Sequence, residues 1–96
     1  MNTIKIAELL KDSTFPEAGA KLYELLCQRL GQAEPLVLDM DGVSSLPSMF
    51  LNTSFGQYIE NHGKETLGRI RFQRISQQQA QRIKEYVSRF ATHTEN

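Results

Sequence analysis

The sequence predicts an α/β domain: a small, mainly parallel three-stranded sheet with three helices in the order βαβαβα. Segments with strand character lie near residues 3–6, 36–40 and 67–73. Segments with helical apolar spacing follow each of them, near 16–30, 47–62 and 76–91. No linker, repeat or low-complexity stretch interrupts the alternation. Such an order implies parallel strands, because each crossover helix carries the chain back to the end of the sheet where the previous strand began.

The first strand is Thr3-Ile4-Lys5-Ile6, in which apolar and polar residues alternate as a half-covered strand requires. Residues 7–10 add a helical turn. Ser13 and Thr14 signal a helix start, Pro16 suits a first helical position, and Ala18, Leu22, Leu25, Leu26 and Leu30 recur at helical spacing until Gly31 closes the segment. Pro35 introduces Leu36-Val37-Leu38-Asp39-Met40, a nearly continuous apolar run too short for a helix and typical of a strand buried on both sides, which places it at the centre of the sheet. Asp41-Gly42 makes the turn out. Pro47 opens the second long helix, with Phe50, Leu51, Phe55, Tyr58 and Ile59 on one side and Gly63 at its end. Arg69-Ile70-Arg71-Phe72-Gln73 alternates as a strand with one wet face, Ile70 and Phe72 pointing inward. Ser76 followed by Gln79 is a capping-box pattern, and Ala80, Ile83, Val87 and Phe90 form the stripe of the last helix. The domain is expected to span 1–92, with 93–96 a frayed tail.

With right-handed crossovers and strands in the order one, two, three, both crossover helices cover the same face of the sheet. The other face then carries Val37 and the alternating polar residues of the outer strands, and it is open to a partner unless the last helix or the N-terminal turn covers it.

Composition narrows the function classes. A chain of 96 residues, 40% hydrophobic, can build one core but not two. The single cysteine, Cys27, permits no internal disulfide and supplies too few ligands for a cysteine-based metal site, so a reducing, cytoplasmic setting is expected. No signal-like N-terminal segment and no run of membrane-spanning length is present, which speaks against secretion and membrane insertion. Net charge is zero, which argues against a protein that holds nucleic acid through its phosphates. Charge is nevertheless uneven: residues 1–62 carry four basic and eight acidic side chains, residues 63–96 seven and three. Arg69, Arg71 and Arg74 form a basic strip around the third strand, which suits an acidic protein surface or RNA, although arginines on a wet edge strand more commonly protect it from aggregation. His62 and His93 have no second ligand and no Ser or Cys partner at a useful sequence spacing.

The segment Leu36-Val37-Leu38-Asp39-Met40-Asp41-Gly42-Val43 resembles the first motif of the haloacid-dehalogenase phosphatases. That resemblance implies Asp39 as nucleophile and magnesium ligand and Asp41 as general acid/base. Against it, the chain has no Asp after Asp41 and no adjacent acidic pair downstream, and a strand and a helix precede the motif. On the residues themselves, Asp39 is a strand-end carboxylate that accepts hydrogen bonds from a neighbouring loop.

A longer stretch, residues 36–51, is similar to the central segment of STAS domains, the fold of bacterial anti-anti-sigma factors, in which a strand ending in an acidic residue leads through Gly-Val and an apolar loop to a Ser at a helix start. The strand over 69–72 and the helix start over 76–80 continue the same element order, and the nearest likeness is to the shorter STAS-like domains of unknown function. The resemblance implies partner switching: Ser48 aligns with the Ser phosphorylated by a histidine-kinase-like ATPase that is also the binding partner. Here Pro47 stands where that family has Asp, and Met49-Phe50 stand where it has Ser or Thr followed by Gly. The alternative for Ser48, and for Ser45, is a helix cap. Met49 falls outside the apolar stripe and is expected to be an exposed hydrophobe.

The expectation is therefore a protein-binding regulatory module without catalytic residues, metal or cofactor. Its candidate contact residues are Ser48, Ser45, Met49, Asp39 and Asp41. A homodimeric assembly protein is the alternative and a magnesium phosphatase the outside one. Nucleic acid and membrane are not expected partners.

Overall fold

The computed structural model describes residues 2–11 and 13–94, with side chains as far as Arg89. Strand β1 (Thr3–Lys5) passes into a short helix α1 (Ile6–Leu10), then helix α2 (Phe15–Arg29) and strand β2 (Leu36–Asp39). Helix α3 (Ser48–Leu51) runs through a π-helical turn, Asn52–Gly56, into helix α4 (Gln57–His62). A 3-10 turn, Glu65–Arg69, leads to strand β3 (Ile70–Gln73) and helix α5 (Gln77–Thr94).

All three strands are parallel and lie in the order β1-β2-β3, so the expected central strand is central. Register pairs Ile4 with Leu38, and Leu36 and Leu38 with Ile70 and Phe72. Because side chains alternate along a strand, these residues share one face. The helices cover that face: α2 packs against α3, the π turn and α4, and Leu22, Leu26, Leu36, Leu38, Phe50 and Leu51 are completely buried between the layers. The opposite face carries Thr3, Lys5, Val37, Asp39, Arg71 and Gln73 in register. Lys5, Arg71 and Gln73 are exposed there and Val37 is half-buried, so the face remains largely open.

Local chemistry explains most boundaries. Thr14 caps α2 in a capping box: its Oγ1 accepts from the Glu17 N–H at 3.3 Å while Glu17 Oε1 accepts from the Thr14 N–H at 3.2 Å. These hydrogen bonds favour the charged carboxylate and lower the Glu17 pKa. Ile6, expected in the first strand, instead opens α1 while keeping its side chain in the core. Strand β3 begins at Ile70, later than the expected 67, because the preceding residues wind into the 3-10 turn. Arg69 is thereby withdrawn from the predicted basic strip: its guanidinium donates to the Leu30 and Gln32 carbonyls at 3.2 and 3.0 Å and ties down the α2–β2 connection. The last helix continues to Thr94, and the side chains of Phe90 and His93 lie outside those described.

The second helical segment has the predicted extent but not a uniform winding. Within it, Thr53 Oγ1 donates to the Met49 carbonyl at 2.8 Å and Ser54 Oγ to the Phe50 carbonyl at 2.7 Å. Hydroxyls that engage carbonyls one turn back compete with the helical ladder, and here they accompany the widened π turn. α2 presses directly on this turn. A Cβ on Gly19 would lie 1.8 Å from Thr53 Oγ1 and 2.8 Å from the Phe50 carbonyl oxygen, so only glycine admits the approach. Gly63 ends α4 with φ +83°, a left-handed conformation that glycine adopts without strain.

Candidate functional site

Parallel strands send their following loops to one end of the sheet, and ligands of open α/β sheets gather there. At that end β2 delivers Asp39, and β3 delivers Gln73 and Arg74. Asp39 Oδ1 accepts the Asp41 N–H at 3.0 Å, as expected of a strand-end carboxylate serving the adjacent loop. Gly42 carries the turn with φ +82°. Arg74 also adopts a left-handed backbone, φ +57°, uncommon for a residue with a long side chain. Its Nη1 lies 3.4 Å from Asp41 Oδ2 and 3.9 Å from Asp39 Oδ2. Asp39 is buried, whereas the side chains of Asp41 and Arg74 are 70% and 60% exposed, so the Arg74–Asp41 pair is a surface contact of small energy. A guanidinium therefore stands against both carboxylates of the phosphatase-like motif. Among the described residues no group of three or more His, Cys, Asp or Glu side chains is arranged to hold a metal ion.

The loop over 43–47 is held at both its apolar and its polar points. Val43 and Leu46 are buried, and between them Ser44 and Ser45 face solvent. Two side chains of α5 reach across to the loop backbone. Gln79 Nε2 donates to the Val43 carbonyl at 2.6 Å, while the same residue completes the predicted capping box with Ser76, in which each backbone N–H reaches the other's side chain at 3.1 Å. Arg82, three residues on and so on the same side of α5, donates through Nε to the Leu46 carbonyl and through Nη2 to Ser48 Oγ at 3.3 Å. The loop and the start of α5 enclose a groove of about 420 Å³, walled by Ser45 and Pro47 on one side and Gln78, Gln79 and Arg82 on the other.

Ser48 is the first residue of α3, and the cap position belongs to Pro47, which makes no side-chain cap. Neither Ser48 nor Ser45 caps the helix: Ser48 points to Arg82 and is exposed. Met49 is 60% exposed and, among the described side chains, is one of two large hydrophobic ones left in solvent, the other being Phe15. Of the predicted contact residues, Ser45 lines the groove with Arg82, Ser48 is bonded to Arg82, and Met49 is the next, exposed residue of α3, while Asp39 and Asp41 lie at the same end of the sheet beside Arg74. Gln79 and Arg82 were not foreseen as part of this surface. The Ser76/Gln79 capping pattern signalled the start of α5 but not its contact with the loop.

A second cluster is absent from the sequence-based expectations. The Sγ of Cys27, on α2, lies 3.6 Å from Nε2 of His62 at the end of α4, which supplies the cysteine partner that sequence spacing did not. The His62 ring stacks on Tyr58 at 4.6 Å and leans on Tyr23 at 6.4 Å, and Asn61 Nδ2 donates to the Tyr23 hydroxyl at 3.0 Å.

No helix among the described residues is long and apolar enough to cross a membrane. No curated protein and no solved structure matches the chain. The profile of one family does, over residues 18–80, from α2 through the strand-end loop to the first turn of α5. Those residues include the central strand, the Ser48 helix start and the Ser76 cap, and on this match the chain belongs to the family of STAS-like domains of unknown function.

Proposed function

We propose that the domain is a non-catalytic, cytoplasmic regulatory module that docks a partner protein on the surface formed by residues 44–49 and the first turns of α5. The observation that carries this reading is the pairing of an exposed apolar side chain, Met49, with an exposed Ser48 hydroxyl held by Arg82, next to a polar groove. An unbranched, polarisable side chain in solvent adapts to a partner's surface. The neighbouring loop is already ordered by Gln79 and Arg82, so docking there costs little conformational entropy. The STAS likeness favours a histidine-kinase-like ATPase as the partner and Ser48 as the switch. A phosphate on Ser48 would carry nearly two negative charges into the first turn of α3, beside the Arg82 guanidinium. Catalysis through Asp39 has less support, because Arg74 already opposes both carboxylates.

A second reading, homodimerisation through the sheet, rests on the uncovered face around Val37, since parallel sheets are normally covered on both sides. The two readings separate by experiment. Proteins captured from the source cells by the wild-type chain are compared with those captured by Ser48→Asp and Met49→Asp. The docking reading expects both substitutions to leave thermal stability nearly unchanged and to weaken capture of the same protein at least tenfold. Equal capture by all three chains overturns it, and a dimer that persists in all three while Val37→Lys dissociates it supports the second reading.

A further inference from the structure

Cys27 and His62 lie 35 positions apart in sequence, on different helices, with sulfur and Nε2 at 3.6 Å. That is within the reach of a thiol hydrogen bond to imidazole. A nucleophile beside a base that a third group orients is the arrangement by which side chains are activated for covalent chemistry. All three parts are present. Cys27 is exposed, so a small molecule can approach its sulfur. The imidazole is set by its stack on Tyr58, and Tyr58 is itself 6% exposed and anchored in the core. Tyr23 stands beside both rings, at 6.4 Å from His62 and 6.5 Å from Tyr58, and is fixed through its hydroxyl by Asn61. An ordinary surface cysteine needs none of these supports.

We propose that Cys27 is a site of reversible modification by low-molecular-weight disulfides, with His62 as its proton acceptor. In the reaction, the Cys27 thiol proton passes to His62 Nε2 and the Cys27 sulfur attacks one sulfur of the disulfide. A new sulfur–sulfur bond forms, the old one breaks, and the departing thiolate leaves with the electron pair and takes up the proton from the imidazolium. Cys27 is oxidised to the disulfide level and one half of the reagent is reduced to a thiol. No further oxidant is required.

Cys27 is the only cysteine in the chain, so any adduct reports this position alone. The test is the second-order rate of reaction with glutathione disulfide, followed by intact mass, for the wild-type chain, His62→Gln and the wild-type chain unfolded in urea. His62 is exposed, and glutamine there removes the stack on Tyr58, so the thermal stability of the variant is measured alongside its rate. At neutral pH the native wild-type chain is expected to react about tenfold or more faster than both comparators, a modest share of what a positioned base contributes. Equal rates for wild type and His62→Gln at neutral pH, or a native chain no faster than the unfolded one, overturn the proposal.

Discussion

Two contacts, both made by the segment that follows β2, differ in what holds them. Where α2 crosses the π turn, backbone meets side chain and carbonyl with no room for a methyl group at Gly19. At the strand-end loop, two long side chains of α5 reach over exposed serines to hold two carbonyls. The first contact is close-packed and intolerant of added volume, as interiors are. The second is a set of polar tethers, each worth about 1 kcal/mol or less in net terms, which orders a surface without burying it. In this small domain close packing is concentrated in the helix layer, and the proposed docking surface is tethered by few residues.

The sharpest way to break that comparison is Gly19→Ala. The added methyl group forces α2 and the π turn apart, and denaturant unfolding should show a loss of about 1–3 kcal/mol, in the range of an overpacked core. If stability is unchanged, the seam is as yielding as the loop and the contrast fails.

A smaller effect is expected from Arg82→Met, which keeps the aliphatic stem and removes the donors to Leu46 and Ser48. Stability should fall by about 1 kcal/mol. Amide exchange should quicken over 43–49 while the Gly19 seam stays protected. Faster exchange throughout the helix layer would mean that the two regions are one cooperative unit.

The smallest effect involves Tyr86, whose hydroxyl donates to Asn52 Oδ1 and so joins α5 to the π turn. Burial and then the nearby Glu60 charge raise its pKa above the ordinary 10.0. The folded state holds this proton more tightly than the unfolded state, so its contribution is fully present below pH 10.0 and is lost as pH rises through the folded value. Tyr86→Phe should flatten that alkaline decline in stability, and an unaltered slope in the variant would assign the decline to other groups.

The order of elements was legible because each depends on neighbours in sequence. The short run Leu36-Val37-Leu38 marks the central strand, although its Val37 face is left half open where the run suggested cover on both sides, and the Ser76/Gln79 pair announces a helix start on its own. The exposure of Met49 followed from the same helical periodicity. What could not be read depends on segments far apart. The π turn involves Thr53 and Ser54 hydroxyls next to a glycine 34 residues earlier, and neither hydroxyl departs from a helical pattern. Ser48 looked like a cap because a serine near Pro47 commonly is one, and only the fold brings Arg82 to it. The left-handed backbone of Arg74 has no signature at all in an arginine.

Parallel strands also give the body two chemically different ends. The Asp39, Asp41 and Arg74 cluster and the 44–49 surface stand where strands finish and helices begin. Cys27 and His62 stand where helices finish. Twelve residues of α2 separate Phe15 from Cys27, about 18 Å at the helical rise. On the two proposals made above, a protein seated at one end would leave the thiol at the other within reach of solvent, so that the domain would carry two independent messages at once, one written in contact and one in covalent chemistry.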